Sequence, residues 1–119
     1  MPRNVTKHFP AKRVTIDGTS FDSQSEANRA GELKLLERAG RIRKLEFHPR
    51  LPMYVIGAKT GKITKIGRGY ITLDFKYEEI IDWEWREVYE DHKPVITDNS
   101  KTRIALCEAI HEIKIKLTG

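Results

Sequence analysis

Polar and apolar residues alternate along residues 70–77, and this period of two predicts a β-strand. Successive side chains of a strand point to opposite faces, so Asp74 lies on the polar face of this strand. A second strand is predicted over residues 86–93, where Asp91 and Lys93 share one face at a backbone separation of roughly 7 Å. If the two strands pair as a hairpin, the side chains of Asp74, Asp91 and Lys93 converge.

Apolar residues recur at helical spacing in two segments that flank the strands. Ser23 followed three residues later by Glu26 is a capping-box pattern, which predicts that the first helix starts there. This helix should run to about Ala39, with Gly40 as its C-terminal cap. A second helix is predicted from residues 98–100 to about residue 113. The residues expected to face inward are Ala27, Ala30, Leu33 and Leu36 on the first helix, with Leu35 as a further candidate, and Ile104, Cys107, and Ala109 or Ile110 on the second.

Short strands separated by turn signals occupy the region between the helices and both ends of the chain. Further strands are predicted at residues 14–16, 42–47, 53–56, 63–66 and 114–117. Residues 53–56 and 63–66 should form a hairpin, whereas residues 48–52, with two prolines, are expected to interrupt regular structure. The order helix, strands, helix predicts an α/β fold with a mixed central β-sheet flanked by helices.

The length of 119 residues suits a single domain. We expect this domain to cover residues 14–119 and to follow a flexible basic arm at residues 1–13. No apolar run approaches the roughly 20 residues needed to cross a membrane, and the N-terminus lacks the apolar stretch of a secretory signal. The single cysteine, Cys107, cannot form an internal disulfide and is expected to pack as a small apolar residue, which fits a cytoplasmic location.

Charge is distributed unevenly along a chain whose net charge is +5. Seven acidic residues crowd residues 78–91, and such a cluster needs nearby cations or good solvation. Two other stretches contain basic residues and no acid. They predict contacts with the phosphate backbone of a nucleic acid, although for either stretch alone the alternative is a solvated surface. The basic residues are Arg3, Lys7, Lys12 and Arg13 in the first stretch, and Lys59, Lys62, Lys65 and Arg68 in the second.

The converging side chains of Asp74, Asp91 and Lys93 suggest a hydrolytic metal site. Two carboxylates suit a hard cation such as Mg²⁺, which takes oxygen ligands and keeps several waters. A lysine beside them can activate the attacking water or neutralise charge that develops on a phosphate. The alternative is a surface ion pair, because an aspartate and a lysine two residues apart on a strand are common.

Glu26 is a third acid with two possible roles. As the partner in a capping box, its carboxylate would bond the backbone N–H of Ser23, and this role is favoured by the sequence pattern. In the other role its side chain points at the sheet and binds a metal ion or its water.

These elements together resemble the PD-(D/E)XK, or restriction-endonuclease-like, nuclease superfamily. Within it, the chain is similar to a small family of phage proteins of unknown function and to Holliday junction resolvases. The resemblance covers about residues 14–113. It rests on Phe21-Asp22-Ser23 before Ser25-Glu26-Ala27, on residues 32–37 with Ala39-Gly40, on Asp74-Phe75, and on Glu90-Asp91-His92-Lys93.

The resemblance implies a restriction-endonuclease-like core and a role for each matching residue. Glu26 would be the helix acid, Asp74 the central metal ligand, Asp91 the second ligand and Lys93 the catalytic lysine. The metal would be Mg²⁺, with Mn²⁺ able to substitute. Two positions depart from the pattern, since Leu73 replaces the proline of the motif and Pro94 stands where the phage proteins often have glycine.

Three further observations concern the surroundings of these residues. Glu90 is a rival for Asp91, but strand alternation puts it on the face opposite Lys93. Lys101 and Arg103 resemble basic positions of the family, with an ordinary exposed helix face as the alternative. The four histidines are scattered and form no zinc-binding pattern.

The implied function is that of a magnesium-dependent DNA endonuclease of phage origin, acting in the host cytoplasm on branched DNA. Because resolving a junction needs two symmetric cuts, we expect a homodimer, with residues 53–56, Trp83 and Trp85 as candidate contacts. The aromatic pair could instead stack on bases or lie in a core. The alternatives are a nicking or end-processing nuclease for linear duplex DNA, a non-catalytic nucleic-acid-binding module, and a phage assembly or interaction protein.

Overall fold

A computed structural model describes residues 13–93 and 95–119. Two helices and eight strands follow one another in these residues, and the first twelve residues of the predicted arm lie outside them. In chain order the elements are β1 Val14–Ile16, β2 Thr19–Phe21, α1 Gln24–Arg38, β3 Ile42–Phe47, β4 Arg50–Ile56, β5 Ile63–Thr72, β6 Phe75–Ile81, β7 Glu84–His92, α2 Asp98–His111 and β8 Ile115–Thr118. None of these helices is long and apolar enough to cross a membrane.

The central sheet contains four strands in the order β3-β6-β7-β8. The pairs β3–β6 and β6–β7 are antiparallel, whereas β7 and β8 are parallel. Two smaller antiparallel sheets are formed by β1 with β2 and by β4 with β5. The predicted α/β fold with a mixed sheet and flanking helices is confirmed.

Buried side chains form two separate clusters. The first cluster packs α1 against β3 and β6 and includes Phe21, Leu33 and Phe75. The second packs α2 against the β4–β5 hairpin and β8 and includes Met53, Leu73 and Cys107. Cys107 is fully buried in it, as the sequence predicts.

Helix α1 begins at the predicted position because Ser23 is its N-cap. The hydroxyl oxygen of Ser23 accepts a hydrogen bond from the backbone N–H of Glu26 at 3.1 Å. The helix ends before Gly40, whose φ of +78° suits glycine at the turn out of a helix. Leu35, the additional candidate for the inner face, is 62% exposed, so that expectation is wrong.

Helix α2 also starts where the sequence predicts, at Asp98, and Thr97 caps it by accepting a hydrogen bond from Ser100 N at 3.1 Å. Of the two alternatives for its inner face, Ile110 is partly buried against the second cluster whereas Ala109 is exposed. The helix ends at His111, two residues earlier than expected. The final predicted strand is present as β8.

The alternating pattern predicts one continuous strand over residues 70–77, and this prediction is wrong. The segment divides at Leu73 and Asp74, since β5 pairs with β4 and β6 pairs with β3 and β7. Strand β7, which carries Asp91, therefore forms its hairpin with β6 and not with β5. In the β6–β7 register Phe75 lies opposite Glu90, which brings Asp74 next to Asp91.

The β4–β5 hairpin is present with the predicted turn but is longer than expected. Arg50, Leu51 and Pro52 pair with Thr72, Ile71 and Tyr70, so the prediction that residues 48–52 lack regular structure is wrong for these three. Pro52 is tolerated because a two-stranded sheet leaves an outer edge on which a missing N–H breaks no ladder bond. Strand β2, which the short polar sequence did not suggest, completes a hairpin with β1.

A buried ion pair ties α1 to β7. The carboxylate of Glu90 is fully buried and accepts hydrogen bonds from Arg29 Nε at 2.7 Å, Arg29 Nη2 at 2.9 Å and Tyr77 Oη at 2.8 Å. Burial alone would raise the pKa of Glu90, but the hydrogen bonds from Arg29 and Tyr77 outweigh it and hold that pKa below its usual value. The pair therefore contributes stability above the unfolded pKa of about 4.3 and loses it as the pH falls through the folded pKa.

Replacing Arg29 with alanine should lower the free energy of unfolding by about 3 kcal/mol, because it leaves Glu90 buried and unpaired. Urea unfolding at pH 7 measures this loss. The matched control is Arg86→Ala, which removes an exposed pair with Glu84 and should cost less than about 1 kcal/mol. Equal, small losses in both variants would contradict the role given to the buried pair.

Candidate metal centre

Asp74 occupies the junction between the two clusters. Its neighbours in the chain, Leu73 and Phe75, are both fully buried, one in each cluster. The backbone N–H of His92 donates a hydrogen bond to Asp74 Oδ2 at 2.7 Å. The carbonyl of Asp74 accepts a hydrogen bond from His48 N at 2.9 Å. These contacts fix the carboxylate between β7 and the β3–β4 turn.

Asp91 and Lys93 extend from the end of β7 towards the same region. Asp91 is 3% exposed, and Lys93 Nζ lies 3.3 Å from Asp91 Oδ2. The other oxygen, Asp91 Oδ1, is buried and has no hydrogen-bond partner among the described residues. A buried oxygen without a partner costs free energy, so this atom marks a place for a ligand.

Glu90, the neighbour of Asp91 and its rival in the sequence, has the opposite environment. It lies on the other face of β7 in the closed ion pair with Arg29, where its oxygens are occupied by hydrogen bonds. The prediction that Glu90 lies on the face opposite Lys93 is confirmed, and the role of Asp91 as a metal ligand stays a prediction. The two adjacent buried acids therefore differ. Both carboxylate oxygens of Glu90 accept hydrogen bonds, whereas Asp91 Oδ1 has no partner among the described residues.

Glu26 points into the same site from α1. It is 6% exposed, and its Oε2 lies 3.0 Å from His48 Nε2. The capping-box prediction is thus half correct, because Ser23 caps the helix while the Glu26 carboxylate contacts His48. One ligand atom each of Glu26, His48 and Asp74 lie within 4.8 Å of one another.

The electrostatics of Asp74 reflect this crowding of acids. Burial and the negative charge of the adjacent Asp91 carboxylate raise the pKa of Asp74 to about 8. The charge of Glu26 adds to the increase, and the hydrogen bond from the His92 N–H opposes it. Without a cation, the site therefore favours a protonated Asp74 at neutral pH.

The residues present fit a divalent cation. Asp74 and Asp91 offer carboxylate oxygens, and Asp91 Oδ1 has no hydrogen-bond partner among residues 13–93 and 95–119. A cation there would satisfy the buried oxygen and relieve the repulsion between the two carboxylates. Oxygen ligands of this kind are those that Mg²⁺ prefers.

A cleft of about 590 Å³ opens beside the metal centre. Asp91 and Lys93 line it together with Arg68 from β5 and Arg103 from α2. The predicted basic positions Arg68 and Arg103 are thus brought to the site from distant parts of the chain. Lys101 is on the same helix and exposed.

The remaining predicted nucleic-acid contacts lie elsewhere. Lys59 and Lys62 are exposed near the turn of the β4–β5 hairpin, and Lys65 is exposed on β5. Arg13 precedes β1, 3.8 Å from Asp22. Arg3, Lys7 and Lys12 fall outside the described residues.

The two tryptophans are not core residues. Trp83 is 97% exposed at the β6–β7 turn. Trp85 is also exposed, and the guanidinium of Arg43 lies 4.3 Å from the centre of its ring. The prediction of a core position is wrong, while base stacking and a subunit contact remain open predictions.

Comparison with known protein families gives a match over most of the chain. The model of the family described as protein of unknown function (DUF1064) matches residues 6–118. The chain belongs to this family. No curated protein and no solved structure matches the chain. The matched residues include Glu26, His48, Asp74, Asp91 and Lys93.

His48 is the residue of the candidate site that sequence reasoning missed. It follows β3 in residues 48–52, which the sequence predicts to lack regular structure. A histidine next to a proline does not by itself indicate a metal ligand. Its φ of +55° lies in a region that non-glycine residues rarely adopt. No spacing argument could identify it, because its contact with Glu26 joins residues that are distant in the chain.

Replacing Asp74 with asparagine should change how stability depends on pH. Since the folded pKa of Asp74 is raised, the folded protein binds a proton that the unfolded chain loses between about pH 4 and pH 8. Metal-free wild type should therefore lose about 1–2 kcal/mol more stability from pH 5 to 8.5 than Asp74→Asn, once solvent screening is allowed for.

Urea unfolding in a chelator at the two pH values measures this difference. The control is Asp82→Asn, an exposed turn residue with φ +54° at which asparagine is tolerated, and it should behave as wild type. The interpretation of Asp74 fails if Asp74→Asn and wild type lose the same stability over this pH range.

Proposed function

We propose that the protein is a Mg²⁺-dependent DNA endonuclease that hydrolyses phosphodiester bonds. The observation that carries the proposal is the buried Asp91 Oδ1, which has no partner among the described residues although Asp74 and Lys93 lie beside it. A buried carboxylate oxygen usually accepts a hydrogen bond, and Asp91 Oδ1 accepts none from the described residues. A cation bound there would supply the missing partner.

The residues divide into those that hold a cation and those that act on the substrate. Asp74 and Asp91 would bind the cation, and Glu26 would complete the site or orient the attacking water. A bound divalent cation supplies Lewis-acid stabilisation of the negative charge that develops on the phosphate. Lys93, whose side chain is 36% exposed, can reach the cleft, where it would activate the water or neutralise that charge.

The cleft supports a polyanionic substrate. Arg68 and Arg103 line it and carry charges that suit phosphate oxygens of a nucleic-acid backbone. A pure nucleic-acid-binding module has no use for three buried or half-buried acids close to phosphate, because they repel it. The combination of acids with basic walls therefore favours hydrolysis over binding alone.

The arrangement also supports the resemblance to PD-(D/E)XK nucleases. An acid on the first helix, an aspartate at a strand junction and an aspartate and lysine two residues apart on the next strand are brought together. From that resemblance we propose that the substrate is branched DNA. We also propose that the protein is of phage origin and acts in the way of junction resolvases. Because fold does not fix function, the substrate class needs its own test.

Asp91→Ala should abolish cleavage of DNA in Mg²⁺ or Mn²⁺, and Asp74→Ala should do the same, since each removes a cation ligand. Lys93→Ala should still bind DNA but cut it at least about a hundredfold more slowly, because its charge acts mainly in the transition state. Gel assays of cleavage and separate binding titrations on one substrate, with a chelator control, measure both effects.

Lys114→Ala is the matched control for Lys93→Ala, since it removes an exposed lysine that does not line the cleft and is not among the predicted nucleic-acid contacts. It should cleave at close to the wild-type rate. Full activity in folded Asp74→Ala and Asp91→Ala would refute the assignment of the site. An equal loss of binding and cleavage in Lys93→Ala would make Lys93 a phosphate anchor.

We further propose a homodimer that prefers four-way junctions over linear duplex. Two symmetric cuts need two copies of a single active site, and a two-fold dimer supplies them. Within the predicted contact region Met53 is buried, so the available apolar residues are Tyr54, Val55, Ile56, Trp83 and Trp85.

Sedimentation should give a mass near twice 13.8 kDa, and Trp83→Ala should shift it towards the monomer without loss of thermal stability. Junction DNA should be cut in preference to excess linear duplex. A strict monomer on DNA that cuts both substrates equally would instead favour a nicking or end-processing nuclease.

A further inference from the structure

His48 contacts the metal centre from a backbone position that is fixed on several sides. Its N–H donates to the Asp74 carbonyl at 2.9 Å, and the Pro49 carbonyl accepts from Leu73 N at 2.9 Å. The ring of Phe21 lies 5.6 Å from the imidazole, centre to centre. The β3–β4 turn is therefore bound to the same junction that carries Asp74.

The conformation of His48 is costly. A φ of +55° in a residue other than glycine is uncommon and persists where the surroundings impose it, which is frequent at functional sites. This backbone directs the ring nitrogen Nε2 at Glu26 Oε2, 3.0 Å away. The imidazole is thus presented to the acids of the centre.

Asp74 lies between two groups of ligand atoms. On one side is Asp91, with a buried Oδ1 that lacks a partner among the described residues. On the other side are Glu26 and His48, whose ligand atoms lie within 4.8 Å of one ligand atom of Asp74. One group offers oxygen only, and the other offers oxygen and imidazole nitrogen.

We propose that His48 is a metal ligand and that Asp74 is shared between two cation positions. One position has Asp74 and Asp91 as ligands, and the other has Glu26, His48 and Asp74. Imidazole suits Mn²⁺, Fe²⁺, Zn²⁺ and related transition-metal ions better than Mg²⁺, which strongly prefers oxygen. The position with His48 therefore selects a transition-metal ion, and Mn²⁺ is a suitable probe of it.

A simpler role for His48 would be to orient Glu26 through a hydrogen bond. The two roles differ in a measurable way, because only a ligand places nitrogen next to the metal. His48→Gln separates them, since a glutamine amide can still donate to Glu26 but is a poor ligand for a transition metal.

The test is pulsed electron paramagnetic resonance of Mn²⁺ bound to the full chain without DNA. Wild type should show echo modulation from a coupled ¹⁴N nucleus, and His48→Gln should not. A Mn²⁺ titration should give an affinity lower in His48→Gln by on the order of ten- to a hundredfold, with Mg²⁺ binding changed far less. Absence of nitrogen modulation in wild type, or its persistence in His48→Gln, overturns the proposal.

Two other histidines provide controls. His92 has Nε2 2.6 Å from Ser25 Oγ and Nδ1 3.0 Å from Thr118 Oγ1, and His111 Nε2 lies 2.6 Å from the Pro52 carbonyl. Their glutamine variants should keep the nitrogen modulation, and its loss in His92→Gln alone would overturn the proposal. Should His48→Gln fail to fold, His48→Asn replaces it, because asparagine tolerates positive φ.

The inference rests on the proposed nuclease for its catalytic meaning but not for the metal site itself, so the two can fail separately. Nitrogen modulation without cleavage of any DNA would overturn the nuclease and support the His48 site. Magnesium-dependent cleavage without nitrogen modulation would support the nuclease and overturn the His48 site.

Discussion

Two hydrophobic clusters meet at Leu73, Asp74 and Phe75, and the position of the acids in the candidate metal centre depends on that meeting. Leu73 is fully buried in the cluster around α2, and Phe75 is fully buried in the cluster around α1. The single residue between them cannot move away without withdrawing one of two buried apolar side chains, each contributing about 1.5–3 kcal/mol. Asp74 is therefore held among other acids by packing energy that its own carboxylate does not supply.

This constraint explains how the fold tolerates an unfavourable group of charges. Burial and the nearby charge of Asp91 raise the pKa of Asp74, and a buried carboxylate oxygen of Asp91 has no partner among the described residues. On the other face of β7, the fully buried Glu90 is bonded to Arg29 and Tyr77 and stabilises the join between α1 and the sheet. The Glu90 face of β7 therefore stabilises the fold, whereas the crowded acids on the Asp91 face destabilise it. Such a contrast is typical of functional sites.

Local patterns were sufficient to predict elements whose signals are local. The starts of both helices, the β4–β5 hairpin and the final strand follow from caps, periodicity and turn residues. Burial even alternates without interruption from Ile71 to Tyr77, although the hydrogen-bond partner changes at Leu73. The period-two pattern therefore reports which face a side chain occupies and not which strand it pairs with, and this is why the break before Phe75 was missed.

The chemistry of the site was predictable only in part for the same reason. Asp91 and Lys93 are neighbours on one strand, so alternation alone relates them. Glu26 on a helix and His48 in a turn come into contact only in the folded structure. The capping pattern suggested another role for Glu26, and no local pattern pointed to His48. A bound cation would relieve the repulsion at Asp74 and satisfy Asp91, so binding would add to the stability of the folded state. An ion that completes the fold in this way would connect four separate parts of the chain: α1, the β3–β4 turn, the β5–β6 junction and β7.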